Sequence, residues 1–195
     1  MSDKDLSTKQ KIKLAAIDLI GRDGIQSLTI RRIAKEAGVN NAAINYYFGS
    51  KEKLVAEAMK QTLDEMSGLP AEILDLENLL PRDRIEAFLE AIIMGIVNYP
   101  GITKSHLYNP MIKNEYNTYF VRRFNAFLGD VLSRIKSMEK KDKNIDLKLA
   151  LVQIMSAVVF PSLISRIFDP FIRMNFKDTK ERRRYVKSLV SLYFK

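Results

Sequence analysis

Apolar residues return at three- and four-residue steps along almost the whole chain, and this spacing constrains the fold more than any other feature of the sequence. No stretch alternates apolar and polar residues for long enough to make a strand, so the chain is expected to be all-α. A first helix is predicted from Ser7 to Asp23, with Ile12, Ala15, Ala16, Leu19 and Ile20 on one face. Ser7 or Thr8 suits its start, and Gly24 suits the left-handed position after its end. A second, short helix follows Thr29, turns Ile30, Ile33, Ala34 and Ala37 inward, and stops at Gly38. Asn40 caps a third through about Tyr47, and Ser50 caps a fourth through about Met66.

Residues 67–81 contain Gly68, Pro70 and Pro81 and read as a break. A helix is then predicted from Pro81, a good first-turn residue, to Asn98. Pro100 and Gly101 stop it, and Pro110 is expected to end the short helix that carries His106. A long helix from about Met111 to Met138, a hydrophilic loop from Glu139 to Asn144, a helix from Ile145 to Phe168 and a last one from near Asp178 complete the chain.

Composition narrows the chemistry. The chain of 195 residues carries 32 Lys+Arg against 23 Asp+Glu, a formal charge of +9 that favours a polyanionic partner. It has no cysteine, which excludes disulfides, a zinc finger and a thiol nucleophile. Its one histidine, His106, would have to carry any His-based metal site or catalytic triad alone, and it reads instead as a surface or hydrogen-bonded core residue. No Gly-rich phosphate loop, paired helical carboxylates or metal-ligand spacing appears, so no enzyme and no cofactor are expected. The charged stretch from Met1 to Lys13 does not read as a signal peptide. The most apolar stretch, Ala150 to Phe168, is interrupted by Gln153, Ser156, Pro161, Ser162, Ser165 and Arg166, and reads as a buried helix rather than a membrane span. A reducing, cytoplasmic setting is the default.

The segment from Thr29 to Phe48 has the spacing of a helix-turn-helix. Two short helices that cross steeply need a small residue at the crossing, which Ala34 supplies, and a glycine four residues later, Gly38, for a positive φ in the turn. Val39, Ile44 and Phe48 then return to a three-helix core. Asn41, Ala42, Asn45 and Tyr46 are left on the outer face of the third helix, where small and hydrogen-bonding side chains can approach base edges and Asn suits adenine. Thr29, at the start of the second helix, and Lys51, at the start of the fourth, flank this face as phosphate anchors. A small helical bundle with no role at DNA is the alternative.

The first sixty residues resemble the DNA-binding head of the TetR family of bacterial transcriptional regulators. The resemblance is carried by Ala15-Ala16-Ile17-Asp18-Leu19-Ile20, Gly24, Leu28 to Ala34, Ala37-Gly38-Val39 and Ile44 to Leu54. It implies phosphate contacts by Thr29, Tyr47 and Lys51, and base or sugar contacts by Asn41, Ala42, Asn45 and Tyr46. Asn40, at the head of the same helix, completes the DNA-binding set. The sequence departs from the family pattern at Asn45, where tyrosine is usual, and at Ala42, where glycine is common, so no operator sequence carries over. The resemblance further implies an N-terminal helix-turn-helix domain, residues 1–50, on a helical ligand-binding and dimerisation domain, residues 51–195, that starts with the connecting helix. The implied protein is a homodimer that binds palindromic double-stranded operator DNA, acts as a repressor, and is released by a small apolar or amphipathic effector.

In the body, aromatic and aliphatic residues recur from Tyr116 to Ile135 at helical spacing, most simply as a helix packed on a core. Since the resembling family holds its effector among body helices, the residues expected to line a pocket are Phe88, Met94, Tyr99, His106, Tyr108, Met111, Tyr116, Tyr119 and Phe120. The helix from Ile145 is apolar nearly all round, as one packed both on its own core and on a partner would be. With the last helix it is expected to form a two-fold interface through Leu151, Met155, Val158, Val159, Tyr185, Leu189 and Leu192. The basic run Lys180, Arg182, Arg183, Arg184 and Lys187 reads as a solvated face, and no membrane contact is expected.

Overall fold

A computed structural model describes residues 7–138 and 146–194, with the backbone alone at 66–69. The predicted loop at Glu139 to Asn144 and the predicted helix start at Ile145 lie outside the described residues. Those described form α1 (Thr8–Asp23), α2 (Ile30–Ala37), α3 (Asn41–Phe48), α4 (Lys51–Glu72), α5 (Pro81–Asn98), α6 (Pro100–Ile112), α7 (Tyr119–Met138), α8 (Leu147–Ile164) and α9 (Thr179–Val190), joined by 3-10 turns at Ile25–Ser27, Ile73–Asp75 and Ser165–Phe168. There is no strand among them, and the all-α expectation holds.

Local signals account for most boundaries. Ser7 caps α1 through a full capping box: its hydroxyl accepts from the Gln10 amide, and the Gln10 side chain accepts from the Ser7 amide. Asp146 and Asp178 cap α8 and α9 in the simpler way. Three expectations need correction. First, α4 does not stop near Met66 but runs on through Pro70 to Glu72. A proline so near a helix end forfeits one backbone bond, and the next turns bury Ala71 and Leu74. Second, Pro110 does not end the helix that holds His106. It lies inside α6, which continues to Ile112, where Lys113 closes the turn on the Asn109 carbonyl at 3.0 Å. Third, the helix predicted from Met111 to Met138 begins only at Tyr119, after a non-helical stretch in which Asn114 adopts φ 55°.

The chain divides into two compact units: one takes the chain to Asp64 together with Tyr99–Phe120, and the other takes Glu65–Asn98 with Val121 onward. In the first, Ile12, Ala16, Leu19, Ile20, Ile33, Ile44, Phe48 and Leu54 make the core. The first turn of α6 presses on the last turn of α1 so closely that a Cβ on Gly101 would overlap the carbonyl oxygens of Ile20 and Gly21. Further along α6, buried His106 lies 3.0 Å from the Thr62 hydroxyl and stacks on Phe120 at 5.4 Å. Tyr119 donates to Asp64 at 2.7 Å.

In the second unit α5 packs on α8 and α9. Phe88, Leu89, Ile93, Val131, Ile154, Val158, Val186 and Val190 fill its core. Arg182, 8% exposed, donates to the Phe176 carbonyl at 2.9 Å and faces Glu90 at 3.5 Å, so its buried charge is compensated. By length and apolar composition Leu147–Phe168 could cross a membrane. Within this unit its α8 portion instead gives Leu151, Ile154, Met155 and Val158 to the core.

Candidate nucleic-acid interface

α2 begins where the Thr29 hydroxyl accepts the Arg32 amide at 3.2 Å, and ends at Gly38, whose φ of 67° and ψ of 33° place it in the left-handed region. The Val39 amide closes that turn on the Ala34 carbonyl at 3.0 Å. Asn40 then caps α3 through its side-chain oxygen, 2.9 Å from the Ala43 amide. Ile33, Ala34, Ile44 and Phe48 are buried, while Ile30, Ala37 and Val39 are half-buried. That pattern fixes the rotation of α3 about its axis. With Ile44 and Phe48 inward, the opposite face must point out.

Asn41, Ala42, Asn45 and Tyr46 are all exposed on that face, Tyr46 to 82%. Tyr47 is 39% exposed, and its ring meets that of Tyr46 edge-on at 5.0 Å. A contact of this kind limits the rotamers of both rings and presents them as one aromatic ledge. Ser50 starts α4 by accepting the Lys53 amide at 3.2 Å. Lys51, next along, reaches back to the Leu28 carbonyl at 3.5 Å and so brings its ammonium beside Thr29. The two anchors singled out in the sequence, 22 residues apart, therefore meet at one place. The N-termini of α2 and α4 and an ammonium gather there, an arrangement that favours an anion.

Sequence reasoning missed the cross-helix charge pairing of this head. Arg22 bonds Glu36 at 2.9 Å and Asp18 at 3.2 Å, and Arg32 pairs with Asp23 while donating to the Ser27 carbonyl at 3.0 Å. Only the i,i+4 spacing of Asp18 and Arg22 was available as a signal. The Glu36 hydrogen bond, with the surrounding carboxylates, raises the Arg22 pKa above its ordinary value.

The residues expected to line a pocket are not all placed alike. Phe88 is buried in the core of the second unit, and Met94 is half-buried on the same helix. The other seven fall in the first unit: His106 is buried, Tyr108, Tyr119 and Phe120 are half-buried, and Tyr99, Met111 and Tyr116 are 60%, 69% and 63% exposed. Of these the structure brings together His106 and Phe120, with Tyr119 next in the chain. Burial depresses the His106 pKa to about 4, so the ring is neutral at physiological pH. Of the residues expected at a dimer interface, Leu151, Met155, Val158 and Leu189 face the core of their own unit, Val159 and Tyr185 are half-buried, and Leu192 is 73% exposed. The Tyr185 hydroxyl donates to the Ala157 carbonyl at 2.6 Å, and burial raises its pKa. No cluster of His, Asp and Glu among the described residues could hold a metal ion.

Residues 12–58 match the family model of bacterial regulatory proteins, tetR family. This match covers the helix-turn-helix head, which is similar to that of the TetR family. A relative from Vibrio campbellii, the HTH-type transcriptional regulator BetI, is 37% identical over 93 residues, which are 48% of this chain and 44% of that protein. The chain thus spans less than half the length of this curated relative. The whole fold is shared with TetR-family structures. A putative TetR-family transcriptional regulator from Rhodococcus superposes with a TM-score of 0.70 at 17% identity, over 95% of this chain and 97% of that one. The transcriptional regulator FadR from Bacillus subtilis, solved in complex with stearoyl-CoA, does so with a TM-score of 0.60 at 17% identity, over 93% and 95%.

Proposed function

We propose that this TetR-family chain is a transcriptional regulator, acting as a repressor, that binds a palindromic operator as a homodimer and leaves it when a small apolar or amphipathic effector binds. The observation that carries this reading is the outer face of α3. Asn41, Ala42, Asn45 and Tyr46 are exposed together, flanked by Thr29 and a Lys51 that already lies beside it. In this reading residues 1–50 are the DNA-binding domain and residues 51–195 the effector and dimerisation domain. Thr29, Tyr47 and Lys51 hold phosphates, while the α3 face, led by Asn40 at its cap, enters the major groove. Asn45 and Asn41 are suited to an adenine edge.

Dimerisation through α8 and α9 is supported by apolar side chains that the unit leaves uncovered: Leu149, Val152 and Phe160 on α8, and Leu192 just after α9, are each more than half exposed. Two such heads must sit about one DNA turn apart, ~34–36 Å, to occupy two half-sites. An effector that prefers a dimer of different spacing then shifts the population off DNA. The stearoyl-CoA bound to the Bacillus subtilis FadR supports an amphipathic effector class.

The test is selection of bound sequences from random duplex DNA by the full chain. A palindrome is the expected result. Binding that ignores sequence and barely weakens with added salt would overturn the reading in favour of a head that docks on protein.

A further inference from the structure

The cations of α2 fall into two sets. Arg32, in the first turn, is tied to the segment before it by its ion pair with Asp23 and its hydrogen bond to the Ser27 carbonyl at 3.0 Å. Its own amide donates to the Thr29 hydroxyl at 3.2 Å, so the residue stands in the turn of the proposed phosphate anchor, while its guanidinium is turned toward Asp23 at the end of α1. Arg31 and Lys35, exposed on the same helix, have no ion pair or side-chain hydrogen bond among the described residues. The Arg32–Asp23 pair leaves both side chains about two-fifths exposed, at 42% and 41%. An ion pair this wet contributes little to stability.

Its weight falls on binding instead. A guanidinium free to swing onto a phosphate adds affinity for every duplex alike and carries no sequence information. A head with more free cations therefore binds every duplex more tightly and depends more steeply on salt.

We propose that Asp23 is a positioning residue that limits the sequence-independent part of DNA affinity: by holding Arg32 against the Ser27 carbonyl it withholds a cation from the DNA backbone. This deepens the DNA-binding reading above and rests on it. Asp23 itself contacts no base. It acts through Arg32.

The experiment titrates the full chain against two duplexes of equal length, the palindrome selected by the wild type and a random sequence, over a range of salt. Asp23→Ala is expected to bind both duplexes more tightly by the same factor and to leave the palindrome-to-random ratio unchanged. Its log–log salt slope should steepen by about 0.9 for the one phosphate gained, which is about 3.5-fold more affinity lost than by wild type between ~50 and ~200 mM salt. In an Arg32→Gln background the same substitution should change neither the affinity for either duplex nor the slope. The proposal is overturned if Asp23→Ala weakens both duplexes equally along with the melting temperature, the mark of a simple strut. It is equally overturned if the slope steepens as much without Arg32, since Asp23 would then act by its own charge. A wild type that binds neither duplex fails at the earlier step and brings down the DNA-binding reading, whereas a selective wild type with an indifferent Asp23→Ala variant brings down this inference alone.

Discussion

At the scale of single residues, two side chains give opposite kinds of test. Lys51 is half-buried and near Thr29. Replacing it with alanine should weaken binding to all duplexes similarly and flatten the salt slope by about 0.9, measured by titration at increasing salt. An unchanged slope would remove Lys51 from the phosphate set. His106 is a matter of stability. Its folded pKa of about 4 lies below the ordinary histidine value of 6.5, so the unfolded chain takes up the proton first as pH falls. Its contribution is therefore intact above pH ~6.5 and is lost progressively down to pH ~4, by up to about 3 kcal/mol. Melting temperature against pH should show that decline, and His106→Gln should flatten it. The outward face of α3 was legible in the sequence because Ile44 and Phe48 fix its rotation. The Arg22–Glu36 and Arg32–Asp23 pairs were not, since partners 14 and 9 residues apart meet only once α1 and α2 have packed.

At the scale of elements, caps and glycines were read correctly where a local rule decides the boundary, as at Ser7, Gly24, Gly38 and Asn40. Pro70 and Pro110 misled because a proline within the last turn of a helix removes a single bond, a loss that burial of neighbours such as Ala71 outweighs. The same limit applies to α8. Its all-round apolarity was visible, but not which side faces its own core. The structure separates the two sides, with Met155 at 5% and Val152 at 54% exposure. Met155→Glu should therefore unfold the chain in a thermal melt, whereas Val152→Glu should leave the fold intact and, for the proposed dimer, shift sedimentation from twice the 22.4 kDa chain mass toward one. A Val152→Glu chain that remains dimeric would move the interface off this face.

At the scale of the whole molecule, helical periodicity alone carried the fold class, and the helix-turn-helix segment carried the resemblance to the TetR family. The grouping of the body helices was beyond reach, because contacts such as Phe88 with Phe127 or Tyr119 with Asp64 join positions dozens of residues apart. That grouping is also why the expected aromatic pocket residues scatter, with Phe88 a core residue in one unit and His106 in the other.

The close seating of Gly101 on the end of α1 bears on how this head can be handled as a part. The unit that contains the helix-turn-helix is not a contiguous piece of chain, since Tyr99–Phe120 belongs to it as fully as α1 does. A cut after Asp64 would strip Gly101 and Ile102 from Ile20 and Gly21, leaving an apolar scar on α1 where a neighbouring helix had been. Chimeras that transplant this helix-turn-helix onto a foreign body must therefore bring α6 along as a graft. At its contact point no residue larger than glycine will fit.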